Sequence, residues 1–287
     1  MNYVPTFRKA FKIDQKADLA NVAIAVNSIY TAEQIASSYL GNIDPSDNGT
    51  GFRIHVLINL IGRVCEHAKA MLVALSTGSP ASAEALARIV VEGSVNVMYL
   101  ATLGDSGTLN YFFRSWLDEH DRKLMEWNQM AQDDGAVEVL TMIKERRQLV
   151  QQLQNFVSQN EIHCEIDKSK SAEWPKSLFK RFEALNRKTD YYTSYHRLSG
   201  ASHLTGEDTL TWLMSTGMPD GMRHKLGKEA WSYSIMMTRI SSTFFVDAVA
   251  ACVISHGRAK NDDLRDCKAA LAKAAHEIAG EAGVPGK

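Results

Sequence analysis

The 287-residue sequence lacks several of the patterns that define common protein classes. Its four cysteines show no Cys-x-x-Cys spacing, which argues against a zinc knuckle and a thioredoxin-type redox pair. Residues 1–15 contain no apolar stretch leading to a small-residue cleavage site, so we expect a cytoplasmic protein with reduced thiols. The formal net charge of −1 gives no global attraction for nucleic acid or anionic membranes. Such a partner would need a local basic patch.

Patterns typical of metal and cofactor sites are also missing. The sequence has no paired Glu-x-x-His motif, no Gly-rich phosphate loop and no nucleophile-elbow serine. Residues 118–121 (Asp-Glu-His-Asp) have the composition of a ligand set, but consecutive helical side chains fan round the axis and cannot close on one ion. We therefore predict no metal and no cofactor.

Long uncharged apolar runs are absent as well. The most apolar segment, residues 235–255, contains Arg239 and Asp247, and charges at a bilayer centre are costly. This pattern favours a buried core helix over a membrane span, so we expect no membrane partner.

Apolar residues recur at three- and four-residue spacing through nearly every segment, whereas alternating β-branched runs are missing. The sequence predicts an all-α fold, a single multi-helix bundle of about eight to ten helices in one domain over residues 1–287. Ser79 followed by Pro80 predicts a helix start, and residues 217–227 read as a Gly- and Pro-punctuated connection. The polar residues 158–175 are the best candidate for an internal linker.

One predicted helix, residues 86–100, is apolar nearly all round but carries three polar side chains at i, i+4 spacing. Arg88, Glu92 and Asn96 drift only about 40° per step and form one polar line, which Tyr99 continues. Buried charge is costly unless it is paired. The line is therefore either an ion pair that fixes helix register or a site where Arg88, held by Glu92, binds an anion.

A second polar group surrounds Gly200, where Arg197, Ser199 and His203 lie close in the chain. The Arg-x5-His spacing resembles the Arg-x4-6-His pattern of the HEPN ribonucleases, small helical enzymes of toxin and antiphage systems. Metal-free RNA cleavage needs a cation for the scissile phosphate and a group that titrates near neutrality. The resemblance implies that Arg197 and His203 take these two roles.

The same resemblance implies a homodimer whose cleft spans two protomers, and we expect a supporting polar site beside the catalytic pair. The supporting residues would be Arg88, Glu92, Asn96, Tyr195 and Ser199. The sequence departs from the HEPN pattern at Leu198, because a polar residue usually follows the arginine. A second Arg-x5-His pair, Arg114 and His120, lies within a predicted helix, where the two side chains would point about 120° apart.

A broader resemblance joins the two polar groups. The helix with the Arg-x3-Glu-x3-Asn pattern, followed by Tyr-x-x-Leu-Ser-x3-His from Tyr195 to His203, resembles a bacterial all-helical family annotated only as a domain of unknown function. The similarity spans about residues 83–205. It implies a fold rather than an activity, with Arg88, Glu92 and His203 close in space.

Residues 168–197 are basic and aromatic, with eight Lys or Arg side chains against three acidic ones, a local balance of +5. Such a segment can grip phosphates while it stacks exposed bases. The candidate RNA-binding residues are Lys176, Lys180, Arg181, Arg187, Lys188, Tyr191 and Tyr192. Alternatively, the aromatic side chains pack inward and the basic ones reach solvent.

Two functions from different classes follow from these patterns. The first is a HEPN-like, metal-independent endoribonuclease, a bacterial toxin or antiphage defence effector that acts on RNA as a homodimer and has a regulatory protein partner. The second is a non-enzymatic helical module that binds a protein or ligand, with a buried polar seam that specifies its packing.

Overall fold

A computed structural model describes residues 1–40, 48–163, 166, 173–198, 206–257 and 261–284. These residues form eleven α-helices and no strands, which confirms the all-α prediction. In chain order the helices are α1 (Val4–Ala10), α2 (Ala20–Leu40), α3 (Asn48–Ser76), α4 (Pro80–Thr102), α5 (Ser106–Asp133), α6 (Val137–His163), α7 (Leu178–Ala184), α8 (Lys188–Asp190), α9 (Gly206–Thr216), α10 (Asp220–Ser255) and α11 (Asp262–Ala279). A π-helical segment, Tyr191–His196, follows α8. The count exceeds eight to ten because α1 and α8 are too short to show a helical period.

Helix ends follow local sequence chemistry at α4 and α5, whereas one predicted connection is wrong in part. Helix α4 begins at Pro80, and the Asp105 carboxylate caps α5 by accepting from the Thr108 backbone N–H at 2.8 Å. The predicted connection at residues 217–227 is wrong from Asp220 onward, because α10 begins there. An exposed helical glycine costs only about 1 kcal/mol, so Gly221 and Gly227 do not interrupt so long a helix.

The chain divides into two compact units. Unit 1 comprises Met1–Ile43, Val56–Thr102 and Leu178–Lys287. Its central helix is α10, which packs against α2, α4 and α11. By length and mean hydropathy, α10 is the one helix among the described residues that could cross a membrane, and 61% of its most apolar window is buried in the protein. Burial of most of this window is typical of a core helix.

Packing inside unit 1 is close enough to require small residues. Gly93 of α4 faces Val64 of α3, and a Cβ at Gly93 would lie 2.6 Å from a Val64 methyl carbon. Cys65 and Cys252 are buried cysteines outside any disulfide and Cys267 is half-buried, whereas Cys164 lies outside the described residues. Burial, reinforced by Glu33, raises the pKa of Cys65 to about 12.

Unit 2 comprises Asp44–His55 and Leu103–Ser177, and its largest feature is a hairpin of α5 and α6. A three-residue turn joins the two helices, with Gly135 in the left-handed region at φ +66°, so they run antiparallel. The hairpin core is formed by residues seven apart on each helix: Leu117, Leu124 and Ala131 on α5, and Ile143, Val150 and Val157 on α6.

Candidate functional site

The polar line on α4 faces α7 and the π-helical segment within unit 1. Arg88, Glu92 and Asn96 are half-buried, and Tyr99 is buried. Their i, i+4 spacing places them on one helix face, as the sequence predicts. This face therefore needs polar partners from the neighbouring elements.

Tyr195 supplies the partner for the first turn of the line. The Arg88 guanidinium donates from Nη2 to the Tyr195 hydroxyl at 2.9 Å, and that hydroxyl donates to Oε2 of Glu92 at 3.2 Å. The guanidinium carbon also lies 5.0 Å from the centre of the Tyr195 ring. The phenol thus bridges the cation and the carboxylate, and it fixes the π-helical segment on α4.

Arg181 of α7 supplies the partner for the next turn. Its side chain is buried, and its Nη1 donates to Oδ1 of Asn96. Burial lowers the pKa of Arg181, while the negative charge of Glu92 acts in the opposite direction. We call Arg88, Glu92, Asn96, Arg181 and Tyr195 the polar seam.

Aromatic rings surround the seam on its α7 side. Tyr191 packs edge-to-face on Phe179 and Phe182, with ring centres 5.2 and 5.6 Å apart, and lies 5.5 Å from the Tyr195 ring. Phe182 is completely buried. Tyr192 is 56% exposed and differs from the others in this respect. Apart from Tyr192, the rings pack inward, as the alternative interpretation of this segment expects.

Most of the candidate RNA-binding cations are engaged in ion pairs. Arg187 donates to Asp190 at 2.6 Å and to Asp247 at 2.9 Å, and its guanidinium carbon lies 4.4 Å from the Phe244 ring centre. These contacts of Arg187 join α8 to α10.

The lysines lie nearer to solvent. Lys180 and Lys188 both contact the Glu183 carboxylate, at 2.7 and 2.5 Å, and lower its pKa to about 2. Lys176 is exposed. These lysines therefore remain at the surface, whereas Arg181 and Arg187 hold the segment to the core.

Arg197 follows directly on the π-helical segment and is exposed. Its guanidinium carbon lies 5.2 Å from the ring centre of Tyr233 on α10, and burial raises the pKa of that tyrosine. Leu198 is completely buried, which explains an apolar residue after the arginine. Ser199 and His203 lie outside the described residues, so the pairing of Arg197 with His203 stays a prediction.

The second Arg-x5-His pair has separate partners within unit 2. Arg114 donates to Glu161 at 2.7 Å, whereas His120 stacks on Trp116 and accepts from Nε of Arg146 at 2.9 Å. The two side chains thus lie in different local environments. Within the described ranges, no group of three or more His, Cys, Asp or Glu side chains could hold a metal ion.

One sequence family covers both polar groups. A family described as a family of unknown function, DUF5677, matches residues 54–217, which is more than half of the chain. The chain belongs to this family. DUF5677 takes in the whole polar seam and Arg197, and it confirms the resemblance to a domain family without an assigned function. No curated protein and no solved structure matches the chain.

Sequence reasoning placed Arg181 among the RNA-binding residues and missed its place in the polar seam. The signal was present in α7, where Leu178 and Phe182 define a buried face. Arg181 follows Leu178 by three residues and precedes Phe182, so helical geometry places it on that face. The local basic composition concealed this spacing.

Proposed function

We propose that this DUF5677 protein is a HEPN-like, metal-independent endoribonuclease that acts in bacterial defence as a toxin or antiphage effector. Arg197 holds the scissile phosphate, and His203 moves the proton of the 2′-hydroxyl or of the leaving oxygen. The observation that carries the proposal is the position of Arg197. It is an exposed cation at the end of a segment that a half-buried polar network fixes in place.

The chemistry needs no bound cofactor. The 2′-oxygen attacks phosphorus, the bond to the 5′-oxygen breaks, and one proton passes from the nucleophile to the leaving group. An arginine stabilises the negative charge that develops on the phosphate, and a histidine exchanges the proton near neutral pH. The products are a 2′,3′-cyclic phosphate and a free 5′-hydroxyl.

The polar seam acts on this site through the backbone. Tyr195 lies two residues before Arg197, and its hydroxyl contacts both Arg88 and Glu92. Arg88, Glu92, Asn96 and Tyr195 are therefore positioning residues, and Ser199 is assigned to the same group by sequence alone.

The contacts divide the candidate RNA-binding residues into two sets. Lys176, Lys180, Lys188 and Tyr192 lie at the surface, and exposed ion pairs such as those with Glu183 are weak enough to exchange for phosphate. We assign RNA contacts to this set. Arg181, Arg187 and Tyr191 hold the fold instead. The proposal also includes a cytoplasmic homodimer and a regulatory protein partner.

The decisive experiment measures RNA cleavage by the purified full chain in the presence of EDTA. We expect cleavage with cyclic-phosphate ends and a loss of about 100-fold or more in H203A and R197A, the range typical of a lost acid–base group. H224A, which removes an exposed histidine on α10, is the matched control and should retain full activity. A wild type that leaves total cellular RNA intact, or an H203A variant as active as H224A, overturns the proposal.

The burial of the polar seam favours a second candidate, a helical module that binds a protein or ligand without catalysis. In that case His203 serves packing. H203A should then lower the free energy of unfolding by about 1–3 kcal/mol through an unsatisfied partner, with no nuclease activity to lose. Under the nuclease hypothesis, H203A retains its thermal stability.

A further inference from the structure

The α5–α6 hairpin of unit 2 has an exposed apolar stripe beside its core. The residue just before each core position lies on this stripe. On α5 these residues are Trp116, Lys123 and Met130, and on α6 they are Met142, Leu149 and Phe156. All six are exposed, and the five apolar ones are between 41% and 63% exposed. Both sets repeat every seven residues, like the core itself.

The parts of the stripe on α5 and on α6 border one groove. In an antiparallel pair, the positions that precede the core positions lie on the same side of the hairpin. A groove of about 700 Å³ lies there, and its walls include Trp127, Met142 and Leu149. At its edge the His120 ring stacks on Trp116, with ring centres 5.0 Å apart, and accepts a hydrogen bond from Arg146 at 2.9 Å. The edge of the groove is therefore held by specific contacts.

This pattern calls for more helices than the hairpin contains. A two-helix interface needs two apolar positions per heptad, whereas a helix inside a bundle uses three. Helices α5 and α6 pack chiefly against each other. A fully exposed aromatic side chain presents about 200 Å². The exposed fractions of Trp116, Trp127 and Phe156 thus leave roughly 300 Å² of uncovered aromatic surface, within the range of patches that are often functional in soluble proteins.

We propose that the groove binds the same groove of a second copy of this chain, so that two hairpins form a four-helix bundle. The charges that line it are of both signs: Glu145 and Arg146 are neighbours on α6, while Lys123 lies 3.3 Å from Glu119 on its own helix. A two-fold axis can set Glu145 of one copy against Arg146 of the other, which makes the surface self-complementary. A polyanion would meet the Glu145 carboxylate, and a lipid bilayer would desolvate all three charges. All the residues that carry this inference lie in unit 2. The inference assigns an interface to the homodimer that the proposed function includes.

The test is the mass of the full chain in solution, measured by light scattering after size exclusion and by sedimentation equilibrium. We expect a dimer for the wild type. L149E and M142E should raise the dimer Kd by about 100-fold or more, because each would put a charge into the apolar contact between the two hairpins. M125E is the matched control, since Met125 is 56% exposed on α5 and lies one residue after Leu124, on the other side of the core line. Its mass should equal that of the wild type.

Three results would overturn the inference: a monomeric wild type, a dimer that both groove variants leave intact, or a dimer that M125E disrupts equally. Circular dichroism shows whether each variant keeps its helix content, and the exposure of all three sites makes folding defects small. Because mass is measured without RNA, a failure here is distinguishable from a failure of the nuclease assay.

Discussion

Removing one oxygen atom from Tyr195 tests the polar seam most directly. In Y195F the ring and its contacts with Tyr191 remain, but the hydroxyl that joins Arg88 to Glu92 is lost. A hydrogen bond to a charged group contributes about 1.5–3 kcal/mol. Tyr195 is only half-buried, so water replaces part of the two lost bonds. We expect the free energy of unfolding to fall by about 2 kcal/mol.

Urea denaturation followed by circular dichroism measures this change, and the melting temperature should fall by about 5 °C. The matched control is Y192F, which removes a hydroxyl from a 56% exposed tyrosine of the same π-helical segment. It should change stability by less than about 0.5 kcal/mol. If Y195F is as stable as Y192F, the bridge contributes nothing and our account of the seam is wrong.

The difference between wild type and Y195F should also depend on pH. Burial raises the pKa of Tyr195 above its ordinary value of 10.0, and Glu92 acts in the same direction while Arg88 opposes it. The folded state thus holds the phenol proton more tightly than the unfolded state does. Its contribution to stability is complete below pH 10.0 and is lost as the pH rises through the folded pKa. The gap between wild type and variant should narrow over that alkaline range.

Three further predictions concern unit 1. R181M should lower the free energy of unfolding by about 2–3 kcal/mol in urea titrations, and adding N96L should recover part of the loss because the orphaned amide is then gone. By the same assay, G93A should lower the free energy of unfolding by about 1–3 kcal/mol, because its methyl group clashes with the Val64 methyl. Adding V64A should remove the clash, so the double variant should lose less than the sum of the two single variants; a loss equal to that sum would contradict the clash. Iodoacetamide at neutral pH should leave Cys65 unmodified until the protein unfolds, as mass spectrometry can show, because burial keeps the thiol protonated.

The sequence predicts the helices well because their signals are local. Proline at the first position of α4 acts within one turn. The three- and four-residue spacing of apolar side chains likewise lies within a single helix. The π-helical segment could not be predicted in this way, since its extra residue per turn leaves the aromatic pattern compatible with an ordinary helix.

The candidate site is predictable in part. The alignment of Arg88, Glu92 and Asn96 follows from helix geometry, but their partners come from residues 85 or more positions away in the chain. Partner choice therefore depends on how α7 docks on α4, which no local pattern encodes. Arg181 is an example: its charge favoured an exposed, RNA-binding position, whereas tertiary packing buries it.

Helix α10 has one more consequence. Its 36 residues extend about 54 Å, yet residues 220–228 are all exposed and the buried residues begin only at Ser232, so the first two turns lack tertiary support. An isolated helix of that length is marginal in water, but growth from an already ordered end avoids the nucleation step. The amides of residues 220–228 should therefore exchange with solvent deuterium by fraying of the helix end, independently of the slowly exchanging core. Tyr233, whose ring the Arg197 guanidinium contacts, lies at the boundary between the fraying end of α10 and its slowly exchanging core.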